Sequence, residues 1–193
     1  MSMKLKRIFD IFSSLCGLLL MAPILLILII FASISTDASG IFSQTRIGRG
    51  GKSFRLYKLR TMRRNSGSTI TKRGDARITA FGRFLRRYKL DELPQLWNVL
   101  RGDMSLVGPR PDVPGYLDRV EGEAQRLWVL RPGITGPASL KYRDEEALLA
   151  DVNDPEIFND TIIWPDKMRI NLRYLDERSF WGDLVILKRT ILP

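Results

Sequence analysis

Two adjacent carboxylates, Asp91 and Glu92, are the residues of this chain whose types and spacing best suit catalysis. They open the segment DELPQLWNVLRGDMSLVGPRP (residues 91–111), in which Arg110 stands between two prolines. A carboxylate can act as a nucleophile or bind Mg²⁺, and the planar guanidinium of arginine matches phosphate oxygens. The pattern therefore indicates chemistry on phosphate groups.

The composition narrows the catalytic possibilities. The chain has no histidine and one cysteine, Cys16, so Ser-His and Cys-His catalytic pairs and Cys/His zinc sites are excluded. No disulfide can form within the chain, so the sequence does not imply an oxidising compartment. Carboxylates must therefore supply much of the acid, base or nucleophile chemistry.

Charge is distributed unevenly along the 193 residues, whose formal net charge is +10. Residues 40–89 hold fifteen Lys and Arg against one acid, whereas residues 90–193 hold thirteen bases against eighteen acids. The basic segment predicts an anionic partner, which is a phosphorylated substrate, lipid headgroups or nucleic acid. The acidic half does not resemble a nucleic-acid-binding surface.

An uncharged apolar segment, residues 11–34, follows a basic N-terminus. As a helix it would be about 36 Å long, enough to cross a hydrocarbon core of about 30 Å. A membrane-spanning helix is one interpretation, and a cleaved signal peptide fits such a long segment less well. Pro23 near its middle favours a kink, and basic residues on both flanks favour a cytoplasmic location for both ends. A re-entrant helix kinked at Pro23 is the third interpretation.

Within the basic segment, short β-prone stretches flank the glycine-rich residues 48–51 and predict a β-hairpin. The letters GRGGKS resemble a nucleotide P-loop, but Arg46 stands where that motif requires glycine. Residues 78–90 predict a helix with one apolar face and a basic remainder. This helix could belong to the core with a solvated basic side, lie on anionic lipid, or bind nucleic acid.

A second helix is predicted from about residue 93 to residue 100, with Pro94 in its first turn. Asp91 would lie near its N-terminus. There Asp91 could be an ordinary N-cap, or it could border an anion site formed by free N–H groups and nearby arginines.

The motifs together resemble the bacterial sugar transferases, and specifically the small monotopic phosphoglycosyl transferases. Besides the basic N-terminus and the proline-interrupted apolar segment, the resemblance is carried by YKLRTM, FGRFLRRYKLDELPQLWNVLRGDMSLVGPRP, LRPGITGPASLKYRD and INLRYLDERSFWGDLVILKRT. These segments span nearly the whole chain in order. Larger members carry further helices and a soluble domain before this core, so the chain resembles the minimal form.

The resemblance implies an α+β fold that is mostly helical. Residues 1–39 would form a re-entrant membrane helix-break-helix kinked at Pro23. Residues 40–193 would form a compact cytoplasmic catalytic domain with a short β-hairpin and amphipathic membrane-surface helices. The implied location is the cytoplasmic face of the bacterial inner membrane.

The resemblance also implies a reaction. Members transfer a sugar-1-phosphate from a UDP-sugar to polyprenol phosphate, typically undecaprenyl phosphate, and release UMP, which begins glycoconjugate assembly such as polysaccharide or O-antigen synthesis. Asp91 is the implied nucleophile, forming a covalent aspartyl-phosphosugar intermediate, and Glu92 completes the catalytic pair. Mg²⁺ is the implied cofactor, with Asp91 and Glu92 as its metal ligands.

Six further residues are implied to contact or support the substrate: Arg110, Arg143, Lys58, Arg60, Pro109 and Pro111. Arg143 lies in SLKYRD, where Lys141-Tyr142 replaces a pair that is more like Asn-Gly in the family. That departure affects the expected sugar or nucleotide contacts.

The implied partners are a UDP-sugar, polyprenol phosphate, membrane lipid, a second copy of the chain and downstream glycosyltransferases, and nucleic acid is not expected. Two other hypotheses stay open. The chain could be a non-enzymatic membrane-anchored protein that binds anionic lipid or nucleic acid through residues 46–89. It could also be a metal-dependent transferase without a covalent intermediate, in which Asp91 is only a ligand.

The C-terminal half contains no second catalytic pattern. Residues 112–129 predict an acidic amphipathic helix, and the acids between residues 144 and 160 predict a solvated helix surface. Trp164, Phe180 and Trp181 fit either the core or a membrane interface.

Overall fold

The computed structural model describes residues 3–63 and 75–192. Helices dominate this part of the chain, and β-structure is limited to short strands, so the predicted mostly helical α+β class is confirmed. The α-helices are α1 Met3–Thr36, α2 Ala80–Arg87, α3 Gln95–Arg101, α4 Pro137–Lys141, α5 Glu145–Ala150, α6 Pro155–Phe158, α7 Trp164–Glu177 and α8 Phe180–Ile191. The strands are β1 Ile41–Ile47, β2 Ser53–Leu59, β3 Ser105–Val107 and β4 Gly133–Thr135. The polar loop predicted at residues 63–77 lies mostly outside the described residues.

Helix α1 contains the predicted membrane segment, and Pro23 lies inside it. The helix continues through Pro23 without interruption, which differs from the expected break into two helices. Proline removes one backbone hydrogen bond, and apolar membrane helices tolerate that loss. By length and composition α1 could cross a membrane, and few of its apolar side chains are covered by the rest of the chain.

Both ends of α1 contact the remainder of the protein. Near the start, Arg7 donates from Nη1 and Nη2 to two carbonyl oxygens in the last turn of α3, at 2.6 and 2.9 Å. Near the end, Leu28 and Ala32 are buried against Leu59 of β2 and Leu85 of α2. The helix therefore lies against the domain along much of its length.

The predicted hairpin is confirmed. Strands β1 and β2 pair antiparallel, and the turn at Arg49–Gly51 connects them. Gly50 and Gly51 both have φ of +70°, a conformation that side chains with a Cβ rarely adopt. The buried side chain of Asn98 in α3 fixes the position of β2, because its amide bonds the backbone of Arg55 at 2.7 Å and of Tyr57 at 3.1 Å.

Strands β3 and β4 form a separate parallel pair, in which Ser105 lies opposite Gly133 and Val107 opposite Thr135. Gly108 continues this pairing by donating to the carbonyl of Thr135 at 2.9 Å. A Cβ on Gly108 would lie 2.4 Å from a backbone oxygen of the neighbouring segment. Only glycine fits this close approach, which leads directly into residues 109–111, hereafter the Pro-Arg-Pro turn.

The main hydrophobic core lies between the hairpin, β3, α7 and the segment that follows the Pro-Arg-Pro turn. That segment is not the long amphipathic helix predicted for residues 112–129. It forms two 3-10 helices, Leu117–Arg119 and Gly122–Val129. The prediction was wrong because Gly115 and Gly122 adopt positive φ values of 104° and 61°, which end regular helix. Of the tryptophans that fitted either the core or a membrane interface, Trp164 packs on the core, whereas Trp181 is 75% exposed.

Candidate active site

Asp91 and Glu92 lie in a short 3-10 helix, Leu90–Glu92, between α2 and α3. Asp91 is 8% exposed, and its Oδ1 is buried without a hydrogen-bond partner. The N-cap position of α3 is occupied by Pro94, so Asp91 does not cap that helix. A buried carboxylate oxygen without a partner is costly in a folded protein, so this atom is a candidate for contact with substrate or metal.

Glu92 joins three separate segments of the chain. Its Oε1 accepts hydrogen bonds from Lys58 Nζ of β2 at 3.3 Å and from Arg110 Nη2 of the Pro-Arg-Pro turn at 3.0 Å. Burial raises the pKa of Glu92, but the positive charges of Arg110 and Lys58 outweigh burial and lower the pKa to about 2. Glu92 is therefore ionised at neutral pH and holds the two cations together.

The pKa of Asp91 is raised and the pKa of Lys58 is lowered, so both shifts favour the uncharged forms. Burial raises the pKa of Asp91; the positive charge of Lys58 opposes that shift and the charge of Glu92 adds to it. Burial lowers the pKa of Lys58, and repulsion by Arg110 lowers it further. Perturbed pKa values of this kind cluster where proteins bind or transform charged ligands.

Arg46 is a site residue that the sequence analysis did not identify. Its Nη1 donates to the carbonyl of Pro111 at 3.2 Å, and its Nη2 donates to the side chain of Gln44 at 2.9 Å. Burial and repulsion by Arg110 lower the pKa of Arg46 to about 10, so the guanidinium stays charged at neutral pH. No motif indicated this contact, because it depends on where β1 ends relative to the turn.

Asp112, directly after the Pro-Arg-Pro turn, was also missed. Its carbonyl accepts a hydrogen bond from the backbone N–H of Ile47 at 2.9 Å, which ties the turn to β1. Burial raises the pKa of its carboxyl to about 6, although the charge of Lys167 opposes the shift. The sequence signal that could have indicated Asp112 is its position directly after the Pro-Arg-Pro turn.

The residues present fit the expected Mg²⁺ in part. Within residues 3–63 and 75–192, three or more acidic, cysteine or histidine side chains do not converge on one point. However, Mg²⁺ is commonly held by one or two carboxylates, and substrate phosphates and water complete its octahedron. Asp91 and Glu92 provide two adjacent carboxylates, and the unpartnered Oδ1 of Asp91 leaves one oxygen available.

Comparison with known proteins assigns the chain to a family. The family model described as "Bacterial sugar transferase" matches residues 1–193. The chain belongs to the bacterial sugar transferase family.

Three curated relatives illustrate the family. The chain is 38% identical to a UDP-glucose:undecaprenyl-phosphate glucose-1-phosphate transferase of Caulobacter vibrioides, over 96% of this chain and 68% of that protein. It is 33% identical to a UDP-N-acetylgalactosamine-undecaprenyl-phosphate N-acetylgalactosaminephosphotransferase of Aeromonas hydrophila, over 97% and 43%. It is 34% identical to an undecaprenyl-phosphate galactose phosphotransferase of Salmonella typhimurium, over 96% and 39%. The chain thus spans less than half of the latter two relatives.

Two arginines expected at the site of this family member have described contacts elsewhere. Arg60 Nε donates to the carbonyl of Ser39 at 2.6 Å, and its guanidinium lies 5.5 Å from the ring centroid of Phe42. Arg143 Nη2 donates to the carbonyl of Arg189 at 2.8 Å, at the end of α8. Arginine commonly satisfies the last carbonyls of a helix in this way. Their roles toward substrate stay predictions, and the contacts described here are structural.

The pair that departs from the family pattern, Lys141 and Tyr142, connects α4 to α7. Both side chains donate to Oδ2 of Asp166, at 2.6 Å from Lys141 Nζ and 2.8 Å from the Tyr142 hydroxyl. Burial raises the pKa of Tyr142 to about 12, and the hydrogen bond to Asp166 adds to the shift. Lys141 and Tyr142 therefore supply a structural connection in this chain.

Proposed function

We propose that this sugar transferase is a phosphoglycosyl transferase. It moves a sugar-1-phosphate from a UDP-sugar to polyprenol phosphate, with undecaprenyl phosphate as the acceptor, and releases UMP. The observation that carries the proposal is the convergence of Lys58 and Arg110 on one oxygen of Glu92, beside the unpartnered buried Oδ1 of Asp91. The acceptor is taken from the names of the relatives.

The charges of the site suit a diphosphate. Arg46, Lys58 and Arg110 are three cations in mutual electrostatic range, and burial and repulsion lower the pKa of Arg46 and Lys58. Glu92 has a lowered pKa, whereas the pKa values of Asp91 and Asp112 are raised. A bound diphosphate would offset the repulsion among the cations, and the arginine forks can bond its oxygens in pairs.

The proposed chemistry has two displacements at one phosphorus atom. A carboxylate oxygen of Asp91 attacks the β-phosphorus of the UDP-sugar, and the bond from that phosphorus to the bridging oxygen breaks, so that UMP leaves with the electron pair. An oxygen of polyprenol phosphate then attacks the same phosphorus, and the aspartyl O–P bond breaks. The carboxylate is restored and the product is a polyprenyl-diphosphate sugar. Covalent catalysis of this kind divides one difficult step into two.

The surrounding side chains bind and orient the donor. Lys58 and Arg110 remain paired with Glu92 and present positive charge to the diphosphate, and Arg46 holds the carbonyl of Pro111. Asp91 and Glu92 would hold Mg²⁺, which when bound neutralises diphosphate charge. Because these groups are fixed before substrate arrives, little reorganisation is needed as charge develops.

We further propose that α1 enters and leaves the membrane from the cytoplasmic side. Its two ends contact the same domain, through Arg7 at one end and through Leu28 and Ala32 at the other. A helix crossing the bilayer would require that polar domain to occupy the hydrocarbon region, where unsatisfied polar groups are costly. Thirteen large apolar side chains of α1 are exposed and available to lipid: Leu5, Ile8, Ile11, Phe12, Leu15, Leu19, Leu20, Ile24, Leu26, Ile27, Ile30, Phe31 and Ile34.

The reaction class is tested by measuring UMP release from a panel of UDP-sugars with purified protein, Mg²⁺ and undecaprenyl phosphate. We expect release with at least one sugar and its loss in Asp91→Asn, because the amide cannot form the aspartyl-phosphosugar intermediate. Glu156→Gln removes an exposed carboxylate outside the site and serves as the matched control with unchanged release. Full UMP release by Asp91→Asn would contradict the nucleophile assignment.

Omission of the acceptor separates the covalent mechanism from its rivals. With UDP-sugar and no polyprenol phosphate, we expect about one UMP per active site and a mass increase of one phosphosugar on Asp91. A transferase without a covalent intermediate requires a ternary complex and would release no UMP under these conditions. A non-enzymatic lipid- or nucleic-acid-binding protein would instead show salt-sensitive binding that survives substitution of Asp91 and Glu92.

A further inference from the structure

The first turns of α1 contact two elements that border the site, α3 and β3. Arg7 bonds the carbonyls at the end of α3, the helix that follows the Asp91-Glu92 pair. Three residues further on, Asp10 contacts β3, the strand that leads into the Pro-Arg-Pro turn. An apolar membrane anchor alone would need neither contact.

Asp10 is a buried carboxylate in the most apolar helix of the chain, and it is only 2% exposed. Its Oδ2 accepts a hydrogen bond from Ser105 Oγ at 2.8 Å, and its Oδ1 accepts one from the backbone N–H of Leu106 at 3.1 Å. Burying a carboxylate costs free energy unless hydrogen bonds compensate for lost water. Both oxygens are compensated, and both partners belong to β3.

Strand β3 is held between β4 on one side and α1 on the other. It has three residues, and Arg110 follows its last residue by three positions. The connecting backbone is rigid, because Gly108 donates to Thr135 at 2.9 Å and the carbonyl of Pro109 accepts from Gly133 at 2.7 Å. A displacement of β3 is therefore transmitted to the backbone of Arg110.

The Arg110 side chain depends on that backbone for its position. It is 45% exposed and reaches Glu92 from outside the core, so packing alone does not fix its guanidinium. A displacement of the turn by about 1 Å would weaken the contact with Glu92 and with a bound diphosphate, and misplacements of that size can cost about 10²-fold in rate.

We propose that Asp10 is a positioning residue for Arg110. Asp10 holds β3 through Ser105 and Leu106. The position of the first turns of α1 therefore affects the position of Arg110 in the active site. This inference rests on the proposed phosphoglycosyl transfer, which supplies the activity to be measured. Membrane attachment and catalytic competence are then separable properties of α1.

A set of single variants tests the contact in the full-length, membrane-bound protein. Asp10→Ala leaves the N–H of Leu106 without its acceptor and removes one of the two acceptors near the Ser105 hydroxyl, the other being the carbonyl of Val107 at 3.0 Å. We expect kcat/KM for the UDP-sugar to fall about 10²-fold. Asp10→Asn keeps an acceptor for Leu106 and can donate to Ser105, so we expect it to restore most of the activity. All variants should remain in the membrane fraction.

Ser14→Ala is the matched control. Ser14 lies one turn beyond Asp10 on the same helix, is completely buried, and its Oγ has no hydrogen-bond partner. Its substitution perturbs the buried face of α1 without removing a hydrogen bond to β3, so we expect unchanged kcat/KM. A loss equal to that of Asp10→Ala would indicate a general packing effect and would overturn the positioning role.

A double-mutant cycle asks whether Asp10 acts through Arg110. If it does, Asp10→Ala added to Arg110→Ala should lower kcat/KM by no more than about twofold beyond Arg110→Ala alone, because coupled residues are not additive. The full 10²-fold loss on both backgrounds would show that Asp10 acts elsewhere.

The outcomes separate this inference from the proposed function. UMP release by the wild type that is lost in Asp91→Asn supports the proposed function. A wild type that releases no UMP with any UDP-sugar rejects the proposed function. With an active wild type, an Asp10→Ala variant as active as Ser14→Ala rejects the positioning role alone. Should Asp10→Ala fail to fold, Ser105→Ala decides, although it removes a hydrogen bond to the carbonyl of Val107 as well as the donor to Asp10. A loss of about tenfold that is absent in the Arg110→Ala background supports the role, and unchanged activity or an equal loss in both backgrounds rejects it.

Discussion

Asp91 and Glu92 are adjacent in the chain but lie in different electrostatic environments. Glu92 accepts hydrogen bonds from two cations and has a lowered pKa, whereas Asp91 has a raised pKa and an oxygen without a partner. When the pKa values of two neighbouring acids are shifted in opposite directions, the two side chains can perform different tasks at one pH. Glu92 is suited to fixing cations, and Asp91 is suited to attack.

Lys58 is the residue whose removal should change the pH dependence. Its positive charge opposes the raised pKa of Asp91, so Lys58→Met should raise that pKa further. A carboxyl with a higher pKa stays protonated to higher pH, so the acid limb of the kcat/KM profile should shift to higher pH. Loss of the cation should also reduce kcat by about 10²-fold. UMP release measured across pH checks this, and Lys58→Arg, which keeps the charge, should leave the acid limb in place. An unshifted limb in Lys58→Met would contradict the role.

Asp112 should limit stability rather than catalysis above pH 6. Its pKa is about 6 in the folded protein against an ordinary value of 3.8, so the folded state binds more protons in that interval. Stability conferred by the protonated form is therefore lost as pH rises through about 6. Asp112→Asn stays neutral and should be more stable at pH 7.5 by about 2 to 3 kcal/mol, with little gain below pH 4. Thermal unfolding in detergent at both pH values checks this. Glu121→Gln, at an exposed site, is the control, and equal gains at both pH values would contradict the assignment.

At the residue scale, the sequence identified the residues that lie in motifs and missed those that do not. Lys58, Glu92 and Arg110 were predicted together, and the structure brings them into contact. Arg46 and Asp112 were missed because their positions depend on the end of β1 meeting the Pro-Arg-Pro turn, which no local pattern encodes. Burial, which shifts their pKa values, is likewise a property of the folded chain.

Among the elements, α2 approaches a neighbouring backbone segment closely at Gly82. Gly82 of α2 lies against the backbone of Thr61, just beyond β2, and a Cβ at Gly82 would lie 2.0 Å from the carbonyl oxygen of Thr61. Because α2 leads into the turn that carries Asp91, its separation from β2 influences the site.

Gly82→Ala should therefore lower both stability and UMP release. The clash involves backbone, which cannot move aside, so we expect a loss of about 1 to 3 kcal/mol despite the better helix propensity of alanine. Gly17→Ala in α1 is the matched control, because it gains the same propensity and its Cβ would meet only the end of the Leu96 side chain, at 3.2 Å. Thermal unfolding and UMP release should show Gly17→Ala close to wild type. Equal behaviour of the two variants would contradict this packing argument.

The predicted elements were those with a local signal. The hairpin followed from its glycine-rich turn, and α2 and α3 followed from apolar periodicity and Pro94. The pairing of β3 with β4 could not be predicted, because each strand has three residues and the partners are 28 positions apart. The helix predicted over residues 112–129 failed at glycines whose positive φ a periodic pattern does not encode.

Over the whole molecule, the apolar surface of α1 continues onto the basic helix α2. Aromatic rings follow one another from Phe31 to Phe81, Phe84 and Tyr88, with centroid distances of 5.8, 6.0 and 5.1 Å. Phe84 and Tyr88 are exposed, and basic side chains of α2 lie beside them. Exposed aromatic residues beside basic ones are typical of a helix at the headgroup level of an anionic membrane. If α2 lies at the membrane surface as we propose, the site lies close to the lipid, where the proposed polyprenol phosphate would present its headgroup.

The direction of α1 in the membrane gives the last prediction. Contacts at both ends with one domain require both ends to lie on the same side of the membrane, which we propose is the cytoplasmic side. Thiols placed close to the two ends should therefore share one compartment. In a Cys16→Ser background, Lys4→Cys and Ser39→Cys introduce such thiols at exposed positions. A membrane-impermeant maleimide should label neither in intact cells and both in inverted membrane vesicles, as it should an exposed control, Glu121→Cys. A helix that crossed the bilayer would place the two thiols on opposite sides, so one would react in intact cells. That result would be incompatible with the packing of Arg7 and Ala32 against the same domain.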